Sequence, residues 1–289
     1  MTSPASNPVL TYGRMIKFSH SIFAMPFALS AAVLASRTHP VTATQVALIV
    51  GCMVTARSCA MGVNRIVDRA YDAKNPRTAI REIPSGQISL NTARALATTA
   101  AILFIVLAAL LNPLCGALSP IALAIICGYS YAKRYTAFVH LWLGVSLGIA
   151  PVAVWIALTG SVATVALILA GAVATWVAGF DILYSLQDEG FDRGEGLHSI
   201  PVALGQKGAM LTSALLHVAT IGLLAIIPHF STLGLGYWAG FAVITGVLTY
   251  EHAIVKPGDL SRIDKAFFDL NGYVSLLFFA GVCAGTWVG

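Results

Sequence analysis

The sequence predicts an all-α integral membrane protein with about nine transmembrane helices. Hydrophobic residues make up 57% of the 289 residues and charged residues only 10%, whereas a soluble domain carries about a quarter charged residues. The mean hydropathy is +0.81. Apolar runs about 20 residues long, the length that crosses a bilayer, recur along the whole chain. We therefore expect one transmembrane domain that covers residues 1–289.

The predicted spans follow directly from these apolar runs. The polar start "MTSPASNP" has no basic segment ahead of the first run, so we expect no cleavable signal peptide. Nine runs are predicted to cross the membrane: 18–36, 44–63, 93–111, 114–132, 138–158, 162–181, 208–228, 230–250 and 267–288.

The charged residues predict the orientation of these spans. Fifteen of the 17 basic residues fall before the first span, where Arg14 and Lys17 lie, or in the segments that follow even-numbered spans. The exceptions are Arg37 and Arg57. Because basic residues concentrate in cytoplasmic segments, this face is predicted to be cytoplasmic, in the cell (inner) membrane. The pI of about 9.0 therefore reflects basic residues that orient the spans in the membrane rather than nucleic-acid binding.

Two acidic segments lie on this predicted cytoplasmic face. In "NRIVDRAYD", Asn64, Asp68 and Asp72 are spaced four residues apart and so share one face of a helix. In "DILYSLQDEGFD", Asp181, Asp188 and Asp192 surround the end of the sixth predicted span. Any one such Asp is most simply a solvated helix end. Two clusters at equivalent ends instead favour a shared cation site.

The cation that best suits these carboxylates is Mg²⁺, which commonly bridges protein carboxylates to substrate phosphates. Basic residues lie between and after the acids, and they favour a polyanion such as a diphosphate. These basic residues are Arg65, Arg69, Lys74, Arg77, Arg81, Lys133 and Arg134. The pattern predicts a membrane-surface site for Mg²⁺ and the diphosphate of a lipid-like substrate.

Arg57 lies inside the second predicted span, seven residues before Asn64. A charge at this depth is costly and usually faces a protein cavity. One interpretation is an arginine that snorkels or pairs with an acid. The other is a receptor for a carboxylate deep in a cavity, which would indicate a transferase with two substrates.

The remaining reactive side chains give weaker signals. Five cysteines lie within apolar runs without a C-x-x-C pair, which predicts buried reduced thiols and no zinc site. Four histidines are unclustered and lie in or at the ends of spans, so no ligand role is predicted for them. They are His20, His140, His217 and His229.

Together these residues resemble the UbiA family of membrane-embedded aromatic prenyltransferases over essentially the whole chain. The matching stretches are "NRIVDRAYD", "NPRTAIREIPSG", "YSYAKR" and "DILYSLQDEGFDRGEGLHSIPVALG". The resemblance implies helices that surround a central cavity. It also implies transfer of a polyprenyl chain from polyprenyl diphosphate to an aromatic hydroxy acid during ubiquinone or menaquinone biosynthesis. The expected partners are these two substrates and membrane lipid, with no nucleic acid.

The resemblance also implies roles for individual residues. Arg77 and Lys133 match basic positions used on the diphosphate, and Arg57 matches the position assigned to the acceptor carboxylate. Tyr129 and Tyr184 fall in matching stretches. The acidic residues match the two motifs that hold Mg²⁺-diphosphate: Asn64, Asp68, Asp72, Asp181, Asp188 and Asp192, of which Asp68, Asp72, Asp188 and Asp192 are the expected catalytic residues.

Two departures bear on the acceptor. Many family members that act on 4-hydroxybenzoate have Asp where this chain has Arg65, and Lys near the position of His198. The residues of both motifs resemble those of the family branch linked to menaquinone synthesis through futalosine. The acceptor is therefore 4-hydroxybenzoate or a hydroxynaphthoate.

Two other functions fit the sequence less well than a prenyltransferase. A transporter of an anionic lipid or metabolite would also carry intramembrane charge, but here the acids collect at one face. A phosphatidyltransferase that uses CDP-alcohols would resemble a D-G-x2-A-R pattern, which the sequence lacks.

Overall fold

The computed structural model describes residues 7–16 and 23–287, and in these residues the regular structure is helical. Extended pairing among them is confined to an isolated bridge between Lys256 and Asp259. The α-helices are α1 (Pro8–Met15), α2 (Met25–Ala35), α3 (Ala43–Lys74), α4 (Leu90–Leu111), α5 (Pro113–Ala132), α6 (Val139–Thr159), α7 (Thr164–Ser185), α8 (Glu189–Gly194), α9 (Ile200–Ile226), α10 (Leu235–Ile254) and α11 (Asn271–Trp287).

Seven helical segments in the described part of the chain are long and apolar enough to cross a membrane. The chain is therefore a multi-pass membrane protein, and its all-α class is confirmed. The predicted count of nine is not confirmed, because α2 has only 11 residues and α10 is not among the seven. Part of the predicted span 18–36, together with Lys17, His20 and residue 288 of the last span, lies outside the described residues.

Local sequence explains several helix boundaries. Ser89 caps α4, because its side chain accepts a hydrogen bond from the Thr92 amide at 3.1 Å. α6 ends at Thr159, and the next residue, Gly160, has a φ of 71°, the left-handed conformation that glycine adopts without strain. Ser199 caps α9, and Pro201 lies in its first turn.

The chain forms two compact units, which are described separately. The first comprises, among the described residues, 7–16 and 46–131. Within it, Tyr12 on α1 donates a hydrogen bond to the Ser58 carbonyl of α3 at 2.8 Å. Gly62 makes this approach possible, since a Cβ there would collide with the Tyr12 hydroxyl. Helix α1 is thus held against the middle of α3.

The second unit comprises the described residues 23–45 and 132–287. Small residues let its helices approach closely, as is common in membrane bundles. A Cβ at Gly144 or Gly148 of α6 would collide with the backbone of α7 at Ala174 or Ala170. This packing places the start of α6 beside the end of α7, where residues of the second acidic segment lie.

A buried polar chain crosses the interior of the second unit. Trp176 Nε1 donates to Asn271 Oδ1 at 2.7 Å, and Asn271 Nδ2 donates to Glu251 Oε1 at 3.0 Å. Asn271 also donates to the Ala266 carbonyl at 2.9 Å, next to the π-helical turn Lys265–Leu270 that precedes α11. These bonds satisfy polar groups that would be costly to leave unpaired in an apolar interior.

Candidate active site

The first acidic segment lies on one continuous helix, as the spacing predicts. Helix α3 carries Asn64, Asp68 and Asp72 near its C-terminal end. Asn64 Nδ2 donates to Asp68 Oδ2 at 2.9 Å, so the amide and the carboxylate form one oxygen-rich pair. The amide oxygen of Asn64 and a carboxylate oxygen of Asp68 are both of the type that binds hard cations.

Asp72 has a different environment from the other two residues of this segment. It is buried, and Arg81 Nη1 lies 2.6 Å from its Oδ1. Thr78 donates to the Asp72 backbone carbonyl at 3.1 Å, which draws the loop after α3 back onto the helix. The first acidic segment is therefore not uniformly open to solvent, because Arg81 of the following loop forms an ion pair with Asp72, its last carboxylate.

Two arginines of the first unit, Arg65 and Arg81, interact with Asp72, and the sequence does not predict either contact. Arg65 is 6% exposed and interacts electrostatically with both Asp72 and Arg81. Arg81 was one of several basic residues in the loop, and its spacing of nine residues from Asp72 gives no helical signal. By contrast, Arg77 is exposed, and its amide donates to Asn75 Oδ1 at 3.0 Å.

Arg57 lies about two turns before Asn64 on the same unbroken helix α3. Its Nη2 donates to the Ile16 carbonyl at the end of α1, at 3.4 Å. The side chain is half-buried. Within the first unit, Arg57 is thus partly held by a backbone carbonyl that the sequence pattern could not reveal.

The second acidic segment is less regular than its spacing suggests. α7 ends at Ser185, a 3₁₀ turn spans Leu186–Asp188, and α8 begins at Glu189. Asp188 and Asp192 therefore do not lie on one continuous α-helix, although they are four residues apart. Asp181 lies within α7, whereas Asp188 ends the 3₁₀ turn and Asp192 lies on α8.

Asp192 is fully buried and carries the main ion pair of this segment. Lys133 Nζ lies 2.7 Å from Asp192 Oδ2. The Leu197 amide donates to the Asp192 carbonyl at 2.8 Å, and the His198 amide donates to the Lys133 carbonyl at 2.7 Å. The loop between α8 and α9 is thus tied to both partners of the ion pair.

Asp181 is paired with a histidine for which the sequence predicted no role. His140 Nδ1 lies 2.7 Å from Asp181 Oδ2, and His140 Nε2 accepts from the Ile200 amide at 3.4 Å. The histidines are also not all unclustered, because His217 Nδ1 lies 2.9 Å from His252 Nε2. The His140–Asp181 contact is not visible in the sequence, since it joins positions 41 residues apart on two different helices.

The donor set is suited to a metal ion that shares its ligands with a substrate. In residues 7–16 and 23–287, no group of three His, Cys, Asp or Glu side chains converges. Mg²⁺ is usually held by one or two carboxylates together with water and substrate phosphates. The Asn64–Asp68 pair fits that requirement, because it offers hard oxygen donors without a preformed cage.

A cavity of about 660 Å³ in the second unit is not part of this site. Its lining includes Arg37, Trp155, Thr164 and His229. Thr164 begins α7, whereas Asp181 lies near the other end of that helix. The cavity and Asp181 are therefore at opposite ends of α7.

The long apolar helices define an integral membrane protein, and each of its two units carries carboxylates that contact basic side chains near helix ends. Residues 24–280 match the model of the UbiA prenyltransferase family. The chain belongs to this family, and it is a prenyltransferase by class.

Relatives and solved structures agree with this assignment. The chain is 27% identical over 271 residues to a 4-hydroxybenzoate octaprenyltransferase of Burkholderia mallei (strain NCTC 10247), which covers 94% of this chain and 93% of that relative. It is 30% identical over 222 residues to a protein of the same name from Nitrosococcus oceani, with 77% and 78% covered.

The fold matches solved structures of UbiA homologues. The apo structure of a homologue from Aeropyrum pernix K1 has a TM-score of 0.83 and 36% identity, and the match covers 92% of this chain and 97% of that one. A homologue from Archaeoglobus fulgidus bound to DMAPP and Mg²⁺ has a TM-score of 0.67 and 17% identity, with 93% and 99% covered. The second similarity concerns the fold alone.

Proposed function

We propose that this protein transfers a polyprenyl chain from polyprenyl diphosphate to an aromatic hydroxy acid in quinone biosynthesis, in a Mg²⁺-dependent reaction. The acceptor is 4-hydroxybenzoate or a hydroxynaphthoate. The observation that carries the proposal is that each acidic segment keeps a basic side chain in contact with a carboxylate: Arg81 with Asp72, and Lys133 with Asp192. Mixed carboxylates and cations suit a metal–diphosphate ligand.

The residues that would hold Mg²⁺ are the six oxygen donors of the two acidic segments: Asn64, Asp68, Asp72, Asp181, Asp188 and Asp192. The family membership and the Mg²⁺ in the Archaeoglobus homologue support this choice. When bound, Mg²⁺ supplies positive charge that stabilises the departing diphosphate.

The protein's own residues contribute binding, orientation and exclusion of water. Arg77 and Lys133 bind the diphosphate and neutralise its charge as the allylic C–O bond breaks, and the diphosphate leaves with the bonding electrons. The apolar helices keep water away from the allylic cation. Arg57 orients the acceptor through its carboxylate, with the two-point geometry of a guanidinium.

The bond that forms joins the allylic carbon to the ring carbon beside the acceptor hydroxyl. The ring then loses the proton from that carbon to a carboxylate of the acidic segments or to the released diphosphate. Asp68, Asp72, Asp188 and Asp192 are the catalytic residues of this proposal. The protein lies in the inner membrane with its site on the cytoplasmic face, and residues 1–289 work as one transmembrane domain.

A direct assay tests the proposal. Membranes that contain the protein are incubated with Mg²⁺, a polyprenyl diphosphate, and either 4-hydroxybenzoate or a dihydroxynaphthoate, and products are identified by mass. We expect a prenylated acid and one equivalent of diphosphate, both abolished by a chelator. Transport of either substrate without diphosphate release, or no product with either acceptor, would refute the proposal.

A further inference from the structure

His140 is a buried ring that contacts a carboxylate of the second acidic segment. The side chain is 3% exposed, and its Nδ1 lies 2.7 Å from Asp181 Oδ2. Both residues belong to the second unit, where the start of α6 packs against the end of α7. The contact is therefore built into the packing of two helices rather than formed by a mobile surface side chain.

The second ring nitrogen fixes how the first one bonds. The Ile200 amide donates to His140 Nε2 at 3.4 Å, so Nε2 is an acceptor and carries no proton. The ring proton of the neutral imidazole is then on Nδ1, which donates to Asp181 Oδ2. His140 thus accepts from the first turn of α9 and donates to α7.

The contact with His140 involves only one of the two carboxylate oxygens of Asp181. Because His140 occupies Oδ2, a metal ion or a water molecule would approach through Oδ1 of a carboxylate that is still 22% exposed. The same first turn of α9 follows the loop whose amides bond to Lys133 and Asp192. His140 therefore connects Asp181 to the segment that carries the Lys133–Asp192 ion pair.

We propose that His140 is a positioning residue, which holds the Asp181 carboxylate in the orientation needed to bind Mg²⁺-diphosphate. The inference deepens the proposed function and rests on it. Partners that orient a ligating side chain typically change metal affinity by about 10–100-fold when they are removed. A histidine that only fills space would affect stability and leave the Mg²⁺ dependence unchanged.

The test compares His140→Ala, His140→Asn and a matched control, His217→Ala, in the full-length protein. His217 is also buried in the second unit, but its ring bonds to His252 and to the Trp176 carbonyl rather than to a carboxylate of the acidic segments. Asn retains an N–H at the place of Nδ1. Binding of farnesyl S-thiolodiphosphate, a poorly ionising analogue, is titrated against Mg²⁺ by calorimetry, and kcat, KM and thermal stability are measured alongside.

We expect His140→Ala to raise the Mg²⁺ concentration for half-maximal analogue binding by about tenfold or more. His140→Asn should return this concentration towards the wild-type value. His217→Ala should lower thermal stability but leave the Mg²⁺ concentration for half-maximal analogue binding unchanged. A wild-type Mg²⁺ dependence in His140→Ala would overturn the positioning role. Analogue binding that needs no Mg²⁺ in the wild-type protein would instead overturn the proposed function itself.

Discussion

Lys133 Nζ and Asp192 Oδ2 lie 2.7 Å apart, and the carboxylate of this pair is fully buried. The lysine follows α5, and the aspartate lies on α8, so the pair joins segments 59 residues apart. Lys133 remains 31% exposed at its side chain. The pair therefore combines a buried anion with a cation that a ligand could still reach.

Removing the lysine should destabilise the protein because it strands a buried charge. Breaking a buried pair costs about 3–5 kcal/mol, and the partial exposure of Lys133 favours the lower end. We expect Lys133→Met to lower the free energy of unfolding by about 3 kcal/mol in mixed micelles. The double variant Lys133→Met/Asp192→Leu should regain stability but not transferase activity. Equal stability of Lys133→Met and wild type would contradict the structural role.

The metal assignment predicts that single carboxylates are needed for turnover. Asp68→Ala and Asp188→Ala should each lower kcat by about 100-fold or more while the protein still inserts, because charge that stabilises the leaving group is lost. Asp259→Ala is the matched control, since Asp259 lies in an exposed loop and accepts from Ser261. Near-normal product formation by either site variant at saturating Mg²⁺ would remove that residue from the metal site.

Local sequence signals predicted much of the helical architecture. Hydropathy located α4 to α7 to within four residues at each end, because an apolar run of this length has few alternatives in a membrane. It also located the start of α3, but this helix continues 11 residues beyond the predicted span 44–63, into the polar segment that ends at Lys74. The four-residue spacing also placed Asn64, Asp68 and Asp72 on one helix, because such a prediction depends only on helical periodicity.

The pairings within the site could not be predicted in this way. Arg81 reaches Asp72 through a loop, and His140 reaches Asp181 from a different helix. Both contacts depend on how elements pack, which periodicity does not encode. The 3₁₀ turn between α7 and α8 has no clear local signal either, because "SLQDEG" contains no proline and only one glycine.

The basic-residue distribution predicts the orientation in the membrane. Ser161 and Ser85 are both exposed in loops, so each is accessible to a reagent on its own side. In a background without the five native cysteines, Ser161→Cys should react with an impermeant thiol reagent added outside the cell. Ser85→Cys should react only after permeabilisation, which is its internal control. The reverse pattern would place the acidic segments on the outer face.

Arg57 is the residue on which acceptor choice depends in the proposed mechanism. It lies seven residues before Asn64 on α3, about 10 Å along the helix axis at 1.5 Å per residue. A diphosphate at Asn64 and a small aromatic acid at Arg57 would therefore lie within reach of each other. Arg57→Lys keeps the charge but loses the two-point geometry, so the acceptor KM should rise more than the prenyl diphosphate KM. Arg57→Ala should lose most activity on carboxylated acceptors while diphosphate binding survives. A change confined to the diphosphate KM would instead mean that Arg57 neutralises the acidic segment.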